Sequence, residues 1–124
     1  MGTTSSKSVA ARLHIRPGQS IRVVRPPRQT TEILGQLPSG ASVVKSGGAD
    51  LAIFFAQDKD ELSAHIAEAM KATEDLWIAY PKLASGKSDL SRQVVHDAFR
   101  QAGWKPVAQI SMDDTWSAIR GRPA

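Results

Sequence analysis

Apolar residues fall in two patterns along this chain: short continuous runs, and stripes spaced three and four apart. Ile21-Arg22-Val23-Val24 is a β-branched run stopped by Pro26-Pro27, which predicts a strand. Leu51-Ala52-Ile53-Phe54-Phe55 and Leu76-Trp77-Ile78-Ala79-Tyr80 are apolar throughout, as strands covered on both faces are, and Pro81 stops the second. Between them Leu62, Ile66, Ala69 and Met70 form a helical stripe, with Asp58 as N-cap and Glu61 as its capping-box partner. Leu90, Val94, Val95, Ala98, Phe99 and Ala102 form a second stripe. It starts at Ser88 or Asp89 and ends at Gly103, the expected C′ residue. Residues 107–112 read as a strand, and 115–120 as its hairpin partner across Asp113-Asp114. Two weaker elements come earlier: a helix over 30–37, closed by Pro38-Ser39-Gly40, and a strand over 41–45.

Apolar strands alternating with amphipathic helices specify an α/β domain with a mostly parallel sheet covered on both sides. One link strains this reading. Residues 46–50 are too few for a parallel crossover, which takes a dozen or more. The second strand is therefore expected to be very short, or not a neighbour in the parallel sheet. A length of 124 residues suits one domain, placed at 12–124, with the small and polar residues 1–11 as a tail. With 41% hydrophobic and 23% charged residues, the chain is neither a disordered segment nor a coiled coil.

Charge changes the picture more than composition does. The net charge is +4, but it is unevenly spread. Lys7, Arg12, Arg16, Arg22, Arg25, Arg28 and Lys45 face Glu32 alone in the first part of the chain, and the stretch from Asp50 to Asp75 is acidic. A dipolar chain of this kind suits a small anionic ligand or a protein partner. There are no cysteines, which excludes disulfides, thiol catalysis and zinc–cysteine sites. No apolar run reaches membrane-spanning length, and the start of the chain lacks the apolar core of a secretory signal, so the expected location is cytoplasmic.

Leu13-x-Ile15-x-Pro17-Gly18 leading into 21–24 resembles the entry to the first strand of class I S-adenosylmethionine-dependent methyltransferases. Ala49-Asp50-Leu51-Ala52-Ile53, the capped helix, Asp75-Leu76-Trp77-Ile78-Ala79-Tyr80-Pro81 and the Gly103-Trp104 ending resemble the second half of that fold. Trp77-Ile78-Ala79-Tyr80-Pro81-Lys82 and Asp114-x-Trp116-Ser117-Ala118-x-Arg120 are similar to a family of small bacterial proteins of unknown function with the same layout. The resemblance implies a three-layer Rossmann-like sandwich, trimmed by one strand–helix unit and closed by a C-terminal antiparallel hairpin. It places 21–24 centrally, 51–55 and then 76–80 beside it, and 115–120 between 76–80 and 106–112.

The same resemblance implies a glycine-rich cofactor loop after the first strand and an acidic residue for the ribose at the end of the second. The sequence departs from both, with Arg25-Pro26-Pro27-Arg28-Gln29 and Lys45. Two prolines remove two amide donors and fix two φ angles. The expected protein is thus a non-catalytic binder without a cofactor, or else a degenerate S-adenosylmethionine-dependent methyltransferase-like enzyme. Its ligand residues are expected at the carboxyl ends of the strands: Arg25, Arg28, Tyr80 and Lys82, followed by Ser85, Lys87 and Ser88. Gly86-Lys87-Ser88 matches the end of a phosphate-binding P-loop, but Pro81 stands where its opening glycine belongs. His14, His65 and His96 lack metal-ligand spacing, so no metal is expected. Apart from net charge, nothing points to nucleic acid.

Overall fold

The computed structural model describes residues 9–28, 30–82 and 89–124. The chain runs through α1 (Val9–Arg12), β1 (Ser20–Val24), α2 (Thr30–Leu34), β2 (Ser42–Val44), β3 (Leu51–Phe55) and α3 (Lys59–Ala72). It continues through β4 (Leu76–Pro81), α4 (Arg92–Gln101), β5 (Trp104–Ser111) and β6 (Trp116–Pro123). The six strands form one sheet in the order β2-β1-β3-β4-β6-β5. The first four are parallel, and β6 pairs antiparallel with both β4 and β5. The hairpin strand thus inserts between β4 and β5 as expected. β1, expected at the centre, lies one strand from the edge, because only the three-residue β2 lies outside it.

Every residue of β3 and β4 is buried, since the sheet is covered on both faces. Val24, Phe54 and Ile78 pack with Leu62 and Ala69 of α3 and with Val95 and Phe99 of α4. Ile21, Ile53, Phe55 and Trp77 face the other way, against Ala10, Leu13 and Leu34. Among the described residues, that second face carries only the short α1 and α2. The stretch read as a tail therefore ends in a helix, with Ala10 buried beneath it. The Arg12 guanidinium donates to the carbonyls of Ser111 and Met112, tying α1 to the far hairpin.

Local signals set the helix ends. Asp58 accepts from the Glu61 amide at 2.9 Å, and the Glu61 carboxylate reaches back to the Gln57 amide, one residue before the capping-box target. α4 begins later than expected. Ser91 is its N-cap, accepting from the Val94 amide, whereas Asp89 accepts the Lys59 amide at the start of α3. Gly103 takes φ +79° and closes α4 with its amide on the Arg100 carbonyl.

The short link between β2 and β3 has a geometric solution. Val44 sits opposite Arg22, and Leu51 sits opposite Ile21, on the two sides of β1. The chain has to retreat by only one register step while crossing one strand, a lateral distance of roughly 10 Å. Six residues reach roughly 20 Å when extended. Because β2 is only three residues long, no helix is needed. Arg22 pins the crossing segment, donating to the Gly47 carbonyl at 3.0 Å and to Glu68 of α3 at 2.8 Å.

Candidate functional site

Open α/β sheets bind ligands at the carboxyl ends of their parallel strands, where side chains and amides project past the sheet. Here β1 runs into Arg25-Pro26-Pro27-Arg28, β2 into Lys45, β3 into Gln57-Asp58 and β4 into Lys82. Arg25 holds φ +57°, the left-handed region, at a cost of roughly 1–2 kcal/mol for an L-residue. The turn that glycine would make is thus still made, by an arginine. Thr30 fastens the loop to α2, donating its hydroxyl and its amide to the Pro27 carbonyl at 2.6 and 3.2 Å.

Between this loop, α2 and the ends of β1 and β2 lies a groove of about 530 Å³. Val23, Leu34, Leu37 and Val44 line it with apolar surface, and Pro26 and Lys45 stand among its other lining residues. Val43, another lining residue, is 49% exposed, unusual for valine in a strand. The volume and lining suit a small organic molecule of nucleoside size. Among the described residues, no acidic one lines the groove.

The side chains named from the sequence do not all turn toward this groove. Arg25 is half exposed and pairs with Glu61 at 3.6 Å, joining the loop after β1 to the start of α3. Arg28 is exposed. Lys82 donates its amide to the Thr115 carbonyl and its ammonium to the Ser111 hydroxyl at 2.6 Å, so it serves the β5–β6 end. β3 stands between the strands that carry Arg25 and Lys82. Tyr80 is buried in the core on the α3–α4 side. Ser85, Lys87 and Ser88, with the P-loop-like motif, lie outside the described residues. Lys45, in the sequence only a departure from the ribose-binding pattern, joins the groove lining. Its signal was present: a cation closing an apolar strand beside a proline loop.

Tyr80 gives a direct check on this packing. Burial pushes its hydroxyl above the ordinary value of 10.0, and the positive charge of Arg92 acts in the opposite direction. The folded state therefore disfavours the tyrosinate. Its contribution to stability is complete below pH 10 and falls as pH rises through the folded value. Tyr80 is the only tyrosine, so tyrosinate absorbance during alkaline titration of the folded protein should report a midpoint above 10. A midpoint at or below 10 would contradict the burial.

A second cavity, about 770 Å³, opens at the opposite end of the sheet, among Arg16, Asp50, Lys71, Thr73, Asp75 and Arg122. Basic and acidic groups alternate there. Asp75 is held by Arg120 through two hydrogen bonds of 2.7 and 2.8 Å, and Asp50 accepts from the Ser20 amide and hydroxyl. These bonds fasten the strand beginnings to β6 and to each other, which gives this end a structural role. Among the described residues, no group of histidine, aspartate and glutamate is placed to hold a metal. None of their helices is long and apolar enough to cross a membrane.

No protein-family model matches the chain, and no characterised protein matches it in sequence. Solved structures do match in fold. Magnesium protoporphyrin IX methyltransferase from Synechocystis, with S-adenosylmethionine bound, superposes with a TM-score of 0.58 at 11% identity, over 94% of this chain and 74% of its own. The ribosomal protein L11 methylase of Lactobacillus delbrueckii gives 0.57 at 10% identity, over 94% and 75%. A tRNA methyltransferase from B. subtilis gives 0.54 at 9% identity, over 98% and 67%. The fold is therefore that of the class I S-adenosylmethionine-dependent methyltransferases, and likeness at these identities carries the fold alone.

Proposed function

We propose that this chain is a degenerate S-adenosylmethionine-dependent methyltransferase-like protein that binds an adenosyl compound in the groove between α2 and the ends of β1 and β2. The observation that carries this reading is the position of the groove. It lies at the carboxyl ends of two parallel strands, in a fold shared with a methyltransferase that holds S-adenosylmethionine. The left-handed turn at Arg25 supports it, because the backbone keeps a shape that glycine ordinarily supplies.

The residues fit only part of the cofactor. Apolar walls suit an adenine ring, whereas Arg25 and Arg28 stand outside the lining, Arg25 paired with Glu61 of α3. A sulfonium centre carries positive charge, however, and the described lining residues offer Lys45 and no carboxylate. Methyl transfer is therefore not assigned to the groove. This reading is favoured over a plain anion binder because the apolar walls would be superfluous for phosphate alone.

The test is thermal unfolding with adenosine, S-adenosylhomocysteine, S-adenosylmethionine and inorganic phosphate added separately. Saturation to a hundredfold excess over Kd stabilises the fold by about 2.7 kcal/mol. Adenosine should raise the midpoint, and inorganic phosphate at equal concentration should not. Val43→Trp, which fills the groove from a half-exposed position, should remove the shift. If no adenosyl compound shifts the midpoint, or if Val43→Trp leaves the shift intact, the reading is wrong.

A further inference from the structure

We infer that the groove selects an adenosine phosphorylated on its ribose, with Lys45 as the residue that reads the 2′- or 3′-phosphate. This rests on the groove being an adenosyl site and says which adenosyl compound it takes. Lys45 follows directly on β2 and lines the groove with Val43 and Val44. It is exposed, and no ion pair engages it among the described residues.

Of the other described cations near this edge, Arg25 pairs with Glu61, Lys82 is drawn to Ser111, and Arg28 is exposed but does not line the groove. Glu32, the one acid of α2, is absent from the groove lining. An uncompensated ammonium at the rim of an apolar groove therefore has one electrostatic preference, an anion carried on an otherwise apolar or aromatic body.

The position of that ammonium gives the chemistry. In doubly wound nucleotide-binding sheets, the base and ribose lie across the ends of the first two strands, and the side chain near the end of the second reads the ribose. A carboxylate there accepts from free hydroxyls, whereas a cation accommodates a ribose phosphate. A lysine has three donors and no acceptor, so it cannot accept a hydrogen bond from a hydroxyl as a carboxylate does. It meets a phosphate as a point charge. The same substitution that makes the groove a poor match for a free ribose makes it a suitable one for a ribose phosphate. The Arg25 turn and the apolar walls are unaffected by the exchange.

Isothermal titration of the full chain separates the outcomes, using adenosine, adenosine 2′-, 3′- and 5′-monophosphate and inorganic phosphate. A charge-assisted contact at a partly exposed site should make the 2′- or 3′-monophosphate bind about tenfold tighter than adenosine. That advantage should shrink as salt is raised. Lys45→Ala should abolish the advantage of the monophosphates over adenosine when all are measured on the same variant. Lys45→Glu should reverse the order, with adenosine binding tighter than either monophosphate. The side chain is exposed, so neither variant should alter the unfolding midpoint without ligand. Equal binding of adenosine and its 2′- and 3′-monophosphates would overturn the inference and leave the adenosyl site standing. So would a preference that survives Lys45→Ala, or a 5′-monophosphate that binds as tightly as the others. Absence of binding by every adenosine compound would remove both readings together.

Discussion

Gly121→Ala should lower the stability of this protein by about 3 kcal/mol, at the upper end of what overpacking a core does. Gly121 lies in β6 opposite Leu76, on the face that carries α4. A β-carbon built there meets Cε1, Cδ1 and Cζ of Phe99 at 2.3, 2.5 and 2.6 Å. The Phe99 ring is fully buried and stacks on Trp104, 6.1 Å between centroids, so that indole obstructs its retreat. Either α4 lifts from the sheet or the ring leaves its rotamer. The expected loss is roughly 10 °C in thermal midpoint for a domain of this size. Phe99→Leu, which removes the ring atoms in conflict, should recover part of the loss in the Gly121→Ala background while being destabilising by itself. A midpoint unchanged by Gly121→Ala would mean that α4 does not pack on β6 as described.

Trp77→Ala should have an effect of similar or greater size, about 4 kcal/mol, the range for removing a large buried aromatic side chain. Trp77 is fully buried at the middle of the second core face. Its indole N–H donates to the Leu13 carbonyl at 3.0 Å, and Arg120 lies 5.8 Å from its ring centroid. The side chain thus combines packing, a buried hydrogen bond between β4 and the segment after α1, and a cation–π contact. Trp77→Phe separates these effects. It keeps most of the packing and leaves the Leu13 carbonyl without its donor, which should cost about 1–3 kcal/mol. Urea unfolding followed through Trp104 and Trp116 measures both variants. Total stabilities of domains are only about 5–15 kcal/mol, so the alanine variant should be mostly unfolded in mild denaturant. If Trp77→Phe were neutral, the link from β4 to Leu13 would not matter to the fold.

Both positions show how far the sequence can be read. Trp77 was recognisable as buried, because it sits in an apolar run too continuous to have a solvent face. Its hydrogen bond to a carbonyl 64 residues earlier was not recognisable, since nothing near Leu13 marks that carbonyl as unpaired. Gly121 gave no signal: it lies within the terminal strand, in neither a turn nor a helix end. Only the approach of α4 shows why a β-carbon is excluded.

The site divides in the same way. The proline loop after β1 and the cation after β2 were visible as departures from a cofactor-binding pattern. The sequence also indicated the carboxyl ends of the strands as the ligand edge. It did not show that Arg25 and Lys82 take different partners, or that α2 and two short strand ends leave a groove. Those facts depend on strand order and on where Glu61 and Ser111 come to lie.

What the sequence determined by itself was local. Apolar runs placed β3 and β4, Asp58 placed the start of α3, Gly103 placed the end of α4, and the Asp113 turn placed the hairpin. Each of these rests on contacts within a few residues, or on burial that continuous apolar composition demands. Tertiary structure decided the rest. The start of α4 moved to Ser91 because Asp89 is engaged by the Lys59 amide of another helix. The β2–β3 link proved feasible because both strands pair with β1 at nearly the same level. Pairings between residues far apart in the chain carry no local signature, so they become definite only when the sheet is assembled.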